Sequence, residues 1–206
     1  MLLDFEKLLK EYDMRISGVL HVGAHFGEEY LGYIDNGISR VVFIEPLKEN
    51  FQVLENIYGS VPDVTLINKG AGSEKKQLNI YKSSNNLVSS SVLKPKTHLE
   101  QHPEVLFDDG QTVIDIDRID NMLEDIIPYN FMNVDVQGYE LEVFKGAGEF
   151  LDLIDFIMTE VNREEVYENC CQVEEIDEYL AKYKFKRVES KWHGCWGDAF
   201  YIKDRN

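Results

Sequence analysis

Cysteine, positive charge and long apolar runs are what this sequence has least of, and each shortage narrows the field. Its three cysteines, Cys170, Cys171 and Cys195, fall in no zinc-binding spacing and make no disulfide framework. A reducing compartment such as the cytoplasm is therefore expected. No apolar stretch approaches the roughly 20 residues that a membrane helix needs. The opening residues, Met1-Leu2-Leu3-Asp4-Phe5-Glu6, lack the basic and apolar regions of a signal peptide. Lysine and arginine number 21 against 38 acids, a formal charge of -17. A surface of that sign repels a phosphate backbone, so nucleic acid is not an expected partner, and a neutral, polyol-like substrate suits it better.

What is present is a well-stocked core. With 206 residues, 44% of them hydrophobic, the chain suits one domain spanning 1–206. It shows no internal repeat. Apolar residues at 2, 5, 8 and 9 predict a capping helix within residues 1–15. Strands follow at Gly18 to Gly23, Arg40 to Glu45 and Val64 to Asn68, with helices at Glu28 to Ile34 and Leu47 to Tyr58 between them. Lys69 to Gly72 reads as a small-residue loop, and Gln77 to Tyr81 as a short edge strand. The stretch 82–112, rich in serine at its start, predicts an irregular, lid-like segment. Beyond it come strands at Val113 to Asp117, Phe131 to Asp135 and Asp155 to Val161, helices at Ile119 to Ile127 and Val173 to Tyr183, and a closing pair, Lys186 to Ser190 and Asp198 to Ile202. Only seven residues, Lys191 to Gly197, join that pair, so it should be antiparallel.

Two stretches carry chemistry. In Gly18 to Glu29 an apolar strand ends in Gly23, turns through Ala24, His25, Phe26 and Gly27, and opens a helix, which brings bare backbone N–H groups to a nucleotide-like ligand. Glu45-Pro46 follows at the tip of the next strand, where a carboxylate takes the hydroxyls of a ribose. The second stretch, Asn133-Val134-Asp135-Val136-Gln137-Gly138-Tyr139-Glu140, repeats the strand, turn and helix pattern. Gly23 and Gly27 leave the dinucleotide triplet incomplete, which argues against a nicotinamide enzyme.

These elements resemble the sheet of class I S-adenosylmethionine-dependent methyltransferases, and more closely the FkbM family. The resemblance rests on Val22-Gly23-Ala24-His25-Phe26-Gly27, Glu45-Pro46, the Asp135 to Glu140 block and Lys145-Gly146-Ala147, and spans about Gly18 to Ile202. It implies an α/β, Rossmann-like, mostly parallel sheet with a C-terminal antiparallel hairpin strand and helices on both faces. It also implies S-adenosylmethionine as cofactor, with Gly23, Ala24, His25, Gly27, Glu45, Pro46, Gly70, Ala71, Ser90, Asp135, Val136 and Gln137 as candidate contacts. Three positions depart from the family pattern: His21 stands where an acid is usual, His25 where asparagine is frequent, and Gln137 where glutamate is more common.

Methyl transfer needs an acceptor held near the methyl and a group that takes its proton. Asp135 is the first candidate, as base or metal ligand, with His193 and Glu160 next. Asp135, Glu160 and Asn162 at neighbouring strand tips offer three oxygen ligands to Mg²⁺ or Mn²⁺; alternatively Asp135 orients the cofactor and Glu160 pairs with Arg163. His193 lies between Trp192 and Trp196, whose indoles suit a sugar face. His21 is expected to be buried and hydrogen-bonded, and His98 and His102 to be solvated loop histidines. The expected activity is O-methylation of a sugar or glycan hydroxyl. A methyltransferase of small metabolites or protein side chains, or a non-catalytic cofactor-binding module, would share the same cofactor residues. The oligomeric state stays open, a homodimer included.

Overall fold

The computed structural model describes residues 1–123 and 128–205. In chain order it holds α1 (Phe5–Glu11), β1 (Val19–Val22), α2 (Tyr30–Asp35), β2 (Val41–Ile44), α3 (Lys48–Tyr58), β3 (Val64–Ile67), β4 (Gly70–Ala71), β5 (Lys76–Ile80), α4 (His98–Gln101), β6 (Thr112–Asp117), α5 (Ile119–Met122), β7 (Phe131–Val134), α6 (Glu140–Ala147), β8 (Phe156–Asn162), α7 (Val173–Ala181), β9 (Phe185–His193) and β10 (Trp196–Lys203). The helix expected over Ile119 to Ile127 is seen as α5; its positions 124–127 lie outside the described residues.

The main sheet runs β3-β2-β1-β7-β8-β10-β9. Its first five strands are parallel, and β10 inserts antiparallel between β8 and β9. Strands β1, β2 and β7 are buried at every residue, which is why their sequences are apolar apart from His21 and Asn133, which face each other in the interior. Alternation then sorts them between two cores. Leu20, Val22, Val42, Ile44, Met132 and Val134 pack on the α6 and α7 side, while Val19, Val41, Phe43 and Phe131 pack on the side of α1 and α2. Burial of this order, at roughly 25 cal/mol per Å² of apolar surface, is what holds the sheet between its helices.

Register places the functional edge. Val22 pairs with Ile44 and with Val134, and Val134 with Thr159. The residues that follow this row are Gly23, Glu45, Asp135 and Glu160, so the four come out side by side at the carboxyl end of the parallel strands. That end is where open α/β sheets hold ligands.

Three expectations are corrected. Helix α1 is shorter than its apolar stripe: Asp4 caps it by accepting the Lys7 N–H at 3.0 Å, and the N–H groups of Leu2 and Leu3 go to the Asp198 carboxylate instead. Gly70–Ala71 is a strand rather than a loop, in a separate small sheet β4-β6-β5. The closing strands are longer than expected, with Trp192 opposite Gly197 and His193 opposite Trp196, so that Gly194 and Cys195 alone make the turn. Among the described residues no helix is long and apolar enough to cross a membrane.

Candidate active site

Two turns build the site. After β1 the chain reverses through Gly23 (φ +78°) and His25 (φ +49°). A Cβ on Gly23 would lie 1.9 Å from the Asp135 carbonyl oxygen, so only glycine lets the β1 and β7 turns meet. His25 adopts a left-handed conformation, which asparagine and histidine tolerate better than most residues. Its backbone N–H donates to Glu45 Oε2 at 2.9 Å. The ring bonds Glu28 Oε1 through Nδ1 at 2.8 Å and the Asn86 carbonyl through Nε2 at 2.7 Å.

Glu45 is 4% exposed. Its carboxylate also accepts the Leu47 N–H at 2.9 Å and Asn50 Nδ2 at 3.3 Å. Burial nevertheless outweighs these donors and pushes its pKa up to about 7. A buried acid so raised is set to receive further donors from a ligand.

The β7 turn is held by Glu140. One of its oxygens accepts the N–H of Val136 at 3.1 Å and of Gly138 at 3.0 Å. This steadies Gln137 at φ +56° and Gly138 at φ +98°. The Gln137 amide is fixed at both ends. Tyr167 donates to its Oε1 at 2.7 Å, while its Nε2 donates to Asp135 Oδ1 at 2.7 Å and Glu160 Oε2 at 3.0 Å. Burial raises the pKa of Asp135, and burial with the charges of Asp135, Glu140 and Asp198 raises that of Glu160 well above the ordinary range.

Two cavities meet here. The first is lined by Gly23, His25, Glu45, Pro46, Gly70, Ala71, Ser90, Asp135, Val136 and Gln137, with apolar walls from Ile80, Ile114 and Ile116. The second is lined by Asp135, Gln137, Glu160, Ser89, His98, His102, Val105 and Trp196. Asp135 and Gln137 belong to both, and residues of the 82–112 stretch roof both.

Of the remaining candidates, Ala24 and Gly27 lie behind the first turn. Ala24 is packed in the α2 core, and a Cβ on Gly27 would meet Tyr58, Leu54 and Phe43. His193 is exposed at the end of β9 and borders a different depression with Gln101 and Arg163, because the hairpin turns tightly. Trp192 is covered by the Arg163 guanidinium, 3.6 Å from its ring centre, so Arg163 does not pair with Glu160, and Trp196 is the indole that shares the second cavity with Asp135. Nothing in the structure supports the metal set. Asn162 is fully buried and lines neither cavity, the Gln137 amide stands between the two carboxylates, and among the described residues no three His, Cys, Asp or Glu side chains are placed to hold a metal. His21 is buried as expected, with Tyr33 Oη and Asn133 Nδ2 each 3.4 Å from its ring nitrogens.

Sequence reasoning missed Asn50, Ser91 and Tyr139 in the first cavity and His98 and His102 in the second. The i, i+4 spacing of the two histidines was the available signal. His98 is not solvated: it is 6% exposed.

The fold is that of class I methyltransferases. A putative RNA methyltransferase, PH1948 from Pyrococcus horikoshii, superposes with a TM-score of 0.53 over 98% of this chain and 80% of its own, at 11% identity. TrmK of M. capricolum, solved with S-adenosyl-homocysteine, gives 0.52 over 100% and 70% at 8% identity. The model of the methyltransferase FkbM domain matches residues 21–187, and the chain belongs to that family of methyltransferases. A curated relative, the 2-O-methyltransferase NoeI of Sinorhizobium fredii (strain NBRC 101917 / NGR234), is 30% identical over 99 residues, covering 47% of this chain and 40% of that protein.

Proposed function

We propose that this methyltransferase uses S-adenosylmethionine to methylate a hydroxyl oxygen of a sugar or glycan. The observation that carries the reading is the position of Asp135 at the junction of the two cavities. The first suits the cofactor. The buried Glu45 carboxylate would accept from the ribose hydroxyls, the backbone at Gly23 leaves room for close approach, and Ile80, Ile114 and Ile116 give apolar walls for a base. When bound, the cofactor supplies an electrophilic sulfonium methyl. Asp135 would accept the proton of the acceptor hydroxyl, at an acid whose raised pKa brings it closer to neutrality. Gln137 holds Asp135 Oδ1, which leaves the second carboxylate oxygen for the acceptor.

The sugar assignment is supported by the 2-O-methyltransferase relative, by an acidic chain that disfavours phosphorylated partners, and by Trp196 at the wall of the second cavity. Calorimetry with S-adenosylmethionine, followed by transfer of labelled methyl to a panel of methyl pyranosides, peptides and small metabolites, tests it. Transfer to pyranosides that is lost in Asp135→Ala supports the reading. Transfer to peptides or metabolites alone, or binding without any transfer, overturns it.

A further inference from the structure

The second cavity contains a buried histidine with no assigned task. His98 opens α4, and its ring is enclosed by Phe107 edge-on at 5.1 Å, Tyr167 at 5.6 Å and His102 at 5.1 Å, centre to centre. The backbone fixes it too, for the N–H groups of Lys96 and His98 both donate to the Val166 carbonyl, at 2.9 and 3.2 Å. Nδ1 is sealed from solvent with no hydrogen-bond partner among the described residues. The ring's other nitrogen, Nε2, is the one left to the cavity that His98 lines.

A neutral imidazole has one N–H and one lone pair. Burying an unmatched N–H is the costlier choice, since orphaned donors are rarer in proteins than under-used acceptors. The proton therefore belongs on Nε2. Burial, then the neighbouring His102, lowers the pKa of His98, with Glu104 and the residue's own backbone opposing, which agrees with a neutral ring. His98 thus presents one N–H donor to a cavity that Asp135 and Glu160 also line.

We propose that His98 binds the acceptor: as the Nε2–H tautomer it donates a hydrogen bond to a second oxygen of the sugar whose hydroxyl is methylated. The acceptor class is then a neutral polyol that offers one hydroxyl to Asp135 and one oxygen lone pair to His98, with an apolar face for Trp196. This rests on the second cavity being the acceptor site of the proposed reaction.

The test has two arms. In protein labelled with ¹⁵N-histidine, long-range N–H correlations at pH 7.5 should show one neutral Nε2–H ring that disappears in His98→Gln; an Nδ1–H tautomer or a protonated ring overturns the proposal. In methyl transfer to methyl pyranosides, His98→Phe should raise KM about tenfold, the size of one lost hydrogen bond. His98→Gln, whose amide N–H stands near the Nε2 position, should recover most of it. Cofactor affinity by calorimetry should match the wild type in both variants, which reports that each has folded. Equal KM for wild type and His98→Phe overturns the role of His98 alone. A wild type that methylates no pyranoside overturns the sugar reading, and with it the partner given to His98.

Discussion

Gln137 donates to Asp135 at 2.7 Å and to Glu160 at 3.0 Å from a single amide nitrogen, so a half-buried acid and a buried one are bridged by one neutral donor. The bridge favours the ionised form of both. Gln137→Ala should therefore raise the pKa of the proton-accepting group. Charge-assisted bonds of this kind are worth about 1.5–3 kcal/mol, or roughly one to two pH units. The acid limb of the kcat/KM profile is expected to move to higher pH by about that amount, and an unmoved limb would show that the amide does not tune the base.

Glu45 should make cofactor binding proton-linked. A carboxyl near pH 7 in the free protein must lose its proton to accept ribose hydroxyls, so affinity for S-adenosylmethionine should fall about tenfold per pH unit below 7. Calorimetry in buffers of different ionisation enthalpy should register proton release near neutrality. Glu45→Gln is expected to bind about 10- to 100-fold more weakly, with little dependence on pH.

Glu140 predicts a stability effect of opposite character. Burial raises its folded-state pKa above 4.5. A group shifted in this direction favours folding when protonated; the contribution is full below about 4.5 and is lost as pH rises through the raised value. One oxygen already accepts both turn N–H groups while the other, Oε2, is buried without a partner among the described residues. Glu140→Gln keeps the accepting oxygen and removes the charge. The amide that replaces Oε2 brings a pH-independent cost, so the test is the difference in melting temperature between variant and parent, which should move in the variant's favour by at least about 3 °C between pH 4 and pH 8.

His25 ties the first turn to the roof. Its ring joins Glu28 to the Asn86 carbonyl, and Asn86 belongs to the stretch whose Leu87, Val88, Ser90 and Ser91 line the first cavity. In His25→Ala, amide exchange across residues 84–92 should quicken about tenfold, while exchange in β1 and β7 stays unchanged.

The sheet was legible because its central strands must be apolar on both faces and end abruptly in Gly23, Glu45 and Asp135. Strand-end residues in register converge, and that much follows from the ladder. What the sequence could not convey was direction within a tight turn: Gly23 and His25 border the cavity while Ala24 and Gly27, their close neighbours, face the core. His98 was misjudged for a related reason. Its cover comes from Phe107 and Tyr167, the latter far along the chain, and Pro103 next to His102 made a solvated loop the simpler expectation. The hairpin was shortened on paper by Gly194 and Gly197, yet Gly197 lies within β10, packed so closely on Lys191 that a Cβ would meet its carbonyl at 2.2 Å.

The shared register of Val22, Ile44, Val134 and Thr159 divides labour between two kinds of structure. Gly23, Glu45, Asp135 and Glu160 inherit their spacing from the hydrogen-bonded frame, which a side chain elsewhere hardly disturbs. His98, His102 and the serines of the 82–112 stretch are carried by the covering segment instead. In the reaction proposed here, acceptor choice would drift by rewriting that segment while the residues carried by the frame beneath it stay in place, much as a tool changes its jaw without a new handle.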